Sequence, residues 1–280
     1  MAIADYSPPV SQLLTYEEID HNPDNWSGYL NLGITSEHIP ELIQMMGDRS
    51  LYLDETDEQL YWAAPINAWR TLGQLKAEAA IEPLIDVVRQ WGDNLDWDEW
   101  IVEEIPLIFG QIGAAALPAL ANYLSDSTQP QDCLETAISC IAQVGIQHPE
   151  QREQYVAILT HELEAYRDRD PEFNGFLVTA LAIDLKAVEA APVIEQAFNA
   201  DKVDEAFMGD WGEVQVRLGL KTREEVPRKQ FLPSWGADSR SVTREFDPKP
   251  SGFAPRQAAQ KKAKRKQQKQ ARRKNRSKKK

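Results

Sequence analysis

The stretch Ala68–Val88, AWRTLGQLKAEAAIEPLIDVV, decides the predicted fold because it contains two short helix patterns joined by a turn of small residues. Apolar side chains recur at helical spacing before the turn, and the same spacing returns after it. The apolar faces consist of Ala64, Ala68, Leu72 and Leu75, followed by Ile81, Leu84, Ile85 and Val88. Proline costs little in the first turn of a helix, so Pro83 marks the start of the second helix.

The same pattern recurs in three further stretches. They are EEIPLIFGQIGAAALPALANYL (103–124), LETAISCIAQVG (134–145) and FLVTALAIDLKAVEAAPVIEQAF (176–198). The prolines that open second helices are Pro40, Pro83, Pro118 and Pro192, at separations of 43, 35 and 74, and the last is two steps of 37. This spacing predicts an all-α stack of about five helical hairpins, in which each hairpin buries its apolar sides against its neighbours. An irregular helical bundle is the alternative.

A family resemblance supports the stacked arrangement. The turn motif LGQLKAEAAIEPL (72–84) resembles the HEAT-like repeat of the phycobilisome-lyase type. The segments 28–48, 64–84 and 203–220 are similar to a family of uncharacterised bacterial HEAT-like proteins, and the similarity extends over about residues 25–220. It implies a HEAT-like α-solenoid. Some members of that family carry a C-terminal SEC-C zinc motif before a basic run, whereas this chain has no cysteine after Cys140 and keeps only the basic run.

Charge divides the chain into two opposite parts. Residues 1–220 contain 10 Lys and Arg against 39 Asp and Glu, a net charge of −29, and residues 221–280 contain 21 against 5, a net charge of +16. Together with the repeat pattern, this division predicts four segments. They are an N-terminal arm with capping helices (1–48), a HEAT-like repeat domain (49–220), a proline-containing linker (221–257) and a disordered basic tail (258–280).

The sequence offers no recognisable catalytic or metal-binding motif. The patterns GxxxxGK[ST], HExxH, GxSxG and CxxC do not occur,. Cys133 and Cys140 fall on one side of a helix pattern, which predicts buried free thiols in a reducing compartment. His38, His148 and His161 are predicted to lie on solvated helix faces or in turns. We therefore expect no catalytic residue, no metal and no cofactor.

The densest cluster of functional side chains is WGDNLDWDEWIVEE (91–104). Exposed indoles within an acidic rim would bind a basic, partly apolar peptide, because aromatic rings anchor a partner and carboxylates attract it. The candidate binding residues are Trp91, Asp96, Trp97, Asp98, Glu99 and Trp100. Alternatively, Trp100 covers the core, and the acids solvate a loop and favour the start of the next helix.

The tail is the second candidate binding segment. Residues 258–280 hold 13 Lys and Arg, no acid and nothing apolar larger than alanine. Such a segment attracts polyanions such as RNA or the ribosome, but without aromatic residues it does not read sequence. The candidate contact residues are Lys261, Lys262, Lys264, Arg265, Lys266, Arg272, Arg273, Lys274 and Arg276. The tail could instead fold over the acidic body in competition with outside partners.

These features predict a non-catalytic binding scaffold that holds a protein or peptide on its repeat surface and a polyanion on its tail. We expect a cytoplasmic monomer without membrane association, because the longest apolar run, Ala114–Ala121, is interrupted by Pro118 and the N-terminus lacks a leader pattern,. The resemblance to phycobilisome lyases implies the alternative function, which is chromophore attachment or removal on an antenna protein, or its assembly.

Overall fold

A computed structural model describes residues 6–16, 23, 26, 28–52, 61–92, 98–205 and 209–226. Within these ranges the chain is all-α and contains no β-strand, as the sequence predicted. The helices are α1 (Ile39–Met46), α2 (Arg49–Tyr52), α3 (Ala63–Gln74), α4 (Ile81–Trp91), α5 (Asp98–Ile112), α6 (Leu117–Ser125), α7 (Gln131–Gln147), α8 (Arg152–Glu164), α9 (Pro171–Thr179), α10 (Ala191–Asn199) and α11 (Trp211–Leu218).

Five of these helices begin in the same way, directly after a 3₁₀ turn. The turns before α1, α4, α6, α8 and α10 are Ser36–His38, Glu78–Ala80, Ala114–Ala116, Pro149–Gln151 and Val188–Ala190. Proline is the second residue of α1, α6 and α10, and Pro83 is the third residue of α4. The prediction that prolines open second helices is therefore confirmed, and α8 uses Pro149 in its turn instead.

The helices pack in two rows. Helices α3, α5 and α7 contact one another in sequence order, and α7 then contacts α9 and the π-helical segment Ala180–Asp184. Helices α4, α6, α8 and α10 also contact one another in order. At the ends, α1 packs on α3, and α11 packs on α10 and the π-helical segment. A continuous cluster of buried apolar side chains runs through both rows, from Tyr6 to Leu218.

Hydrogen bonds between successive helix pairs keep a nearly constant separation in sequence. The Trp69 indole and the Arg70 guanidinium donate to Glu104, which lies 35 and 34 positions later. Arg152 donates to the carbonyl oxygen of Leu185, 33 positions later. These separations are close to the proline spacing.

Glycines on α5 and α7 allow neighbouring side chains to approach these helices closely. A Cβ atom added at Gly110 of α5 would lie 2.5 Å from Nε2 of Gln147 on α7. At Gly145 of α7 it would lie 2.9 Å from Cδ2 of Leu185 and 2.9 Å from the ring of Tyr155. The small residues of the repeat pattern therefore have a packing role between neighbouring pairs.

Two segments depart from the simple hairpin pattern. The spacing of Leu177, Leu181 and Leu185 predicts a regular helix, but α9 ends at Thr179 and a π-helical turn follows. There the amide of Leu185 donates to the carbonyl oxygen of Ala180 at 3.0 Å, so one extra residue is accommodated,. At the C-terminal end, Arg223 donates to Glu213 of α11, and Val226 lies close to Gly212. The linker beyond residue 226 and the tail lie outside the described residues.

Candidate binding surface

Trp91 belongs to the hydrophobic core. It is only 6% exposed, its ring stacks on Tyr52 with centroids 4.7 Å apart and planes at 6°, and the Arg49 guanidinium lies 5.7 Å from its ring. As the last residue of α4, it continues the apolar face of Leu84 and Val88 at helical spacing,. The expectation of an exposed indole is therefore wrong for Trp91.

Trp100 lies at the surface of the core, near the start of α5. Its side chain is partly buried and its ring centroid lies 5.7 Å from that of Trp62, with the planes tilted by 55°. Trp62 is the residue immediately before α3. The two indoles thus form a pair, here called the Trp62–Trp100 pair, at the N-terminal ends of two adjacent helices.

The sequence carried a signal for Trp62 that the interpretation missed. Four acids in residues 54–58 precede it, just as Asp93, Asp96, Asp98 and Glu99 precede Trp100. The two tryptophans are one repeat step apart. Asp96 and Trp97 lie outside the described residues, as do the side chains of Asp98 and Glu99 at the start of α5 and all nine tail candidates.

Glu104, at the end of the predicted acidic cluster, is fully buried rather than part of a solvated rim. Its carboxylate accepts hydrogen bonds from Arg70 Nη2 at 2.6 Å and Nε at 2.9 Å and from Trp69 Nε1 at 3.0 Å. Both charged side chains are 0% exposed. Burial by itself would lower the pKa of Arg70, but the hydrogen bonds and charge of Glu104 outweigh that effect and raise it,.

The Arg70–Glu104 pair also anchors the N-terminal segment. Arg70 Nη1 donates to the Tyr29 hydroxyl at 3.3 Å, and the Trp26 ring lies 4.7 Å from the guanidinium. The Tyr29 hydroxyl donates to Asn67 Oδ1 at 3.1 Å, and the Asn67 amide donates to the carbonyl oxygens of Leu13 and Tyr16. This buried network ties three parts of the chain together and has the character of a structural site.

A polar groove lies between α4 and α6. Its volume is about 250 Å³, and it is lined by Glu82, Ile85, Arg89, Ala119, Asn122, Tyr123, Ser125 and Asp126. The Arg89 guanidinium forms an ion pair with Asp86 and lies 5.3 Å from the Tyr123 ring. Hydrogen bonds from Thr128 and Gln129 lower the pKa of Asp126, so this carboxylate is ionised at neutral pH,.

One buried carboxyl group stands apart from the ion pairs. Asp184 lies in the π-helical segment, and its Oδ2 atom is buried without a hydrogen-bond partner. Burial raises the pKa of Asp184 to about 7,. The group therefore titrates in the neutral pH range.

Two of the histidines have structural hydrogen bonds. His38 caps a 3₁₀ turn through Thr35, and His148 bonds the carbonyl oxygen of Gly110. Cys133 and Cys140 are buried free thiols, as predicted, and burial raises the pKa of Cys140 well above its usual range,. Among the described residues no group of three or more His, Cys, Asp or Glu side chains is placed to hold a metal ion.

No single helix in the described part of the chain is long and apolar enough to cross a membrane. The helical segments Trp100–Ile112 and Ala114–Ser125 are long and apolar enough only when they are combined, and the chain bends by 110° between them.

Comparisons with known proteins do not extend this description. No protein-family model matches the chain, and neither the curated proteins nor the solved structures give a significant match.

Proposed function

We propose that this chain is a HEAT-like α-solenoid of about five hairpins that serves as a non-catalytic binding scaffold. Its body would hold a basic protein segment or peptide, and its basic tail would hold a polyanion such as RNA. Two features favour the solenoid: two ordered rows of helices and contacts between pairs that recur at one repeat step,. In such a stack, adjacent pairs offer the same positions side by side.

The Trp62–Trp100 pair carries the proposal for the body. Both indoles are packed on the core on one side, so their positions are fixed, and both remain partly exposed. Rigid, partly exposed aromatic rings make effective anchors because little side-chain entropy is lost when a partner binds. The acids that precede each tryptophan in sequence favour a basic partner,.

Fluorescence anisotropy with labelled peptides tests this site. The probes are Lys-rich peptides with one central leucine or tryptophan, and the variants are Trp62→Ala and Trp100→Ala. Loss of an anchoring indole is expected to weaken binding by about 2 kcal/mol, or roughly 30-fold. Trp211→Ala is the matched control, because Trp211 is also partly buried but lies on α11, where it contacts Phe198. Equal affinities for all four chains would contradict the proposal.

The tail is tested separately, with RNA as the probe. In a full-length variant, the nine candidate Lys and Arg residues of the tail are replaced by Gln. Because binding through many cations releases counterions, the wild-type affinity should fall steeply with salt, and the variant should lose most of both its affinity and its salt dependence. Unchanged RNA binding by the variant would rule out the tail as the polyanion site.

A further inference from the structure

The groove between α4 and α6 has the features of a pocket for a basic side chain. Its accessible lining is mainly polar: Glu82 and Asp126 supply carboxylates, while Ile85 and Tyr123 are buried. The charged head of a basic side chain can meet these oxygen acceptors. The volume of about 250 Å³ is enough for one lysine or arginine side chain.

The charges around the groove favour a cation. Three carboxylates, Glu82, Asp86 and Asp126, stand beside a single guanidinium, that of Arg89. That guanidinium pairs with Asp86 and also contributes to lowering the pKa of Asp126. Three carboxylates and one guanidinium leave a net charge of about −2, so a second cation would reduce the uncompensated negative charge of the groove,.

We propose that the groove between α4 and α6 receives lysine or arginine side chains from the chain's own segment 258–280. This inference rests on the proposed function, in which the acidic body holds a basic segment. It identifies segment 258–280 as one such segment. The body has 10 Lys and Arg against 39 acids, so its own cations cannot balance it, whereas segment 258–280 carries 13 cations and no acid.

The chain is long enough for this contact. The described body ends at Val226, and the 31 residues 227–257 separate it from Ala258. Even a partly extended stretch of this length spans far more than about 30 Å, since each residue adds at most about 3.5 Å. Neighbouring helices pack about 10 Å apart, so α6 lies about three helix steps, or roughly 30 Å, from α11,. Tethering gives the segment an effective concentration on the order of mM.

Docking in the groove would couple the two binding activities. A polyanion that binds segment 258–280 would withdraw its cations from the groove, and the groove would then be open to an external basic segment. The attraction is electrostatic at a solvent-exposed site, so it should weaken as salt increases.

Carbodiimide cross-linking of the full-length chain, followed by peptide mass spectrometry, tests the contact directly. The reagent joins lysine amines to carboxylates that touch them, and dilution separates links within one chain from links between chains. Links from tail lysines should concentrate on Glu82, Asp86 and Asp126. They should decline when RNA is added or when salt is raised to about 0.5 M.

Two uncharged substitutions separate insertion into the groove from diffuse attraction. Ala119→Leu fills the groove without changing charge and should reduce these links at least about fivefold, equivalent to roughly 1 kcal/mol. Ala157→Leu, on an exposed position of α8, is the matched control and should leave them unchanged. Unchanged links in Ala119→Leu, or equal linking to Glu150 and Glu153 on α8 and its preceding turn, would overturn the proposal. Neither result would affect peptide binding at the Trp62–Trp100 pair.

Discussion

At the scale of single residues, the Arg70–Glu104 pair shows how a local sequence pattern can mislead. Glu104 follows a run of acids, which indicates solvent, but it shares a helix face with the buried residues Ile101, Ile105 and Ile108,. Its charge is tolerated there only because Arg70 and Trp69 supply three hydrogen bonds,. The partner lies one repeat earlier, so neighbouring sequence could not identify it.

Glu104→Gln should destabilise the protein by about 3–5 kcal/mol, because the Arg70 charge would remain buried without a carboxylate. Urea denaturation followed by circular dichroism measures the loss. The double variant Arg70→Met with Glu104→Leu should recover part of it, since neither buried charge remains. A loss below about 1 kcal/mol for Glu104→Gln would contradict the prediction.

Glu189→Gln is the comparison for an exposed pair. Arg152 Nη2 lies 2.9 Å from Glu189 Oε1, but the two side chains are 39% and 52% exposed. Solvent screens such a pair, so the expected loss is within about 1 kcal/mol.

Asp184 should make stability depend on pH. Its pKa is about 7 in the folded state and near 3.8 when the chain is unfolded. The unfolded chain therefore releases its proton at lower pH, so Asp184 stabilises the fold fully below about pH 4 and that stability is lost as pH rises through 7. The contribution of this group is at most about 4 kcal/mol.

Denaturation of the wild type and of Asp184→Asn between about pH 5 and pH 8 isolates this contribution. The wild type should lose stability relative to Asp184→Asn as pH increases. Asp168→Asn, at an exposed position, should follow the wild type. Parallel curves for wild type and Asp184→Asn would refute the assignment.

At the scale of helices, the sequence predicted the helix starts better than it predicted the candidate binding surface. Proline in the first turn and apolar spacing are local signals, so the starts of α1, α4, α6 and α10 followed from them,. The Trp62–Trp100 pair depends on how α3 packs on α5, which no local signal contains. The sequence signals for Trp91 conflict. Its spacing from Val88 indicated the core, whereas its acidic neighbours indicated solvent, and the side chain is buried.

The closely approached glycines of α5 and α7 give a prediction at this scale. Gly145→Ala should destabilise the protein, because the new methyl group would meet both Leu185 and the buried ring of Tyr155. Overpacking costs about 1–3 kcal/mol, which outweighs the gain in helix propensity of up to about 1 kcal/mol.

Gly110→Ala provides the matched test of this interpretation. The atoms closest to the added methyl group belong to the end of the Gln147 side chain, which can move aside, and its melting temperature should fall less than that of Gly145→Ala. The reverse order would show that contact with Tyr155 and Leu185 does not limit the approach of the helices.

At the scale of the whole molecule, the proposed HEAT-like stack would have no central nucleus that all elements touch. Each pair would contact mainly its neighbours, and the stability of the chain would be a sum of pair and interface contributions. The contacts between α5 and α7 are extensive, whereas α11 packs mainly on α10 and the π-helical segment. The high negative charge of the body adds a repulsion that acts along its whole length,.

Native-state hydrogen exchange should therefore show graded protection along the stack rather than one global value. Amides of α5 and α7 are expected to exchange slowest, because their helices are covered on both sides by neighbouring pairs, and those of α11 fastest, because terminal pairs open without disturbing the rest. The Arg70–Glu104 network should keep α3 close to α5 in protection, so Glu104→Gln should accelerate exchange in α3 much more than in α9. Equal protection across α3 to α11 would mean that the chain opens as one cooperative unit, and this would count against the HEAT-like solenoid in favour of a single helical bundle.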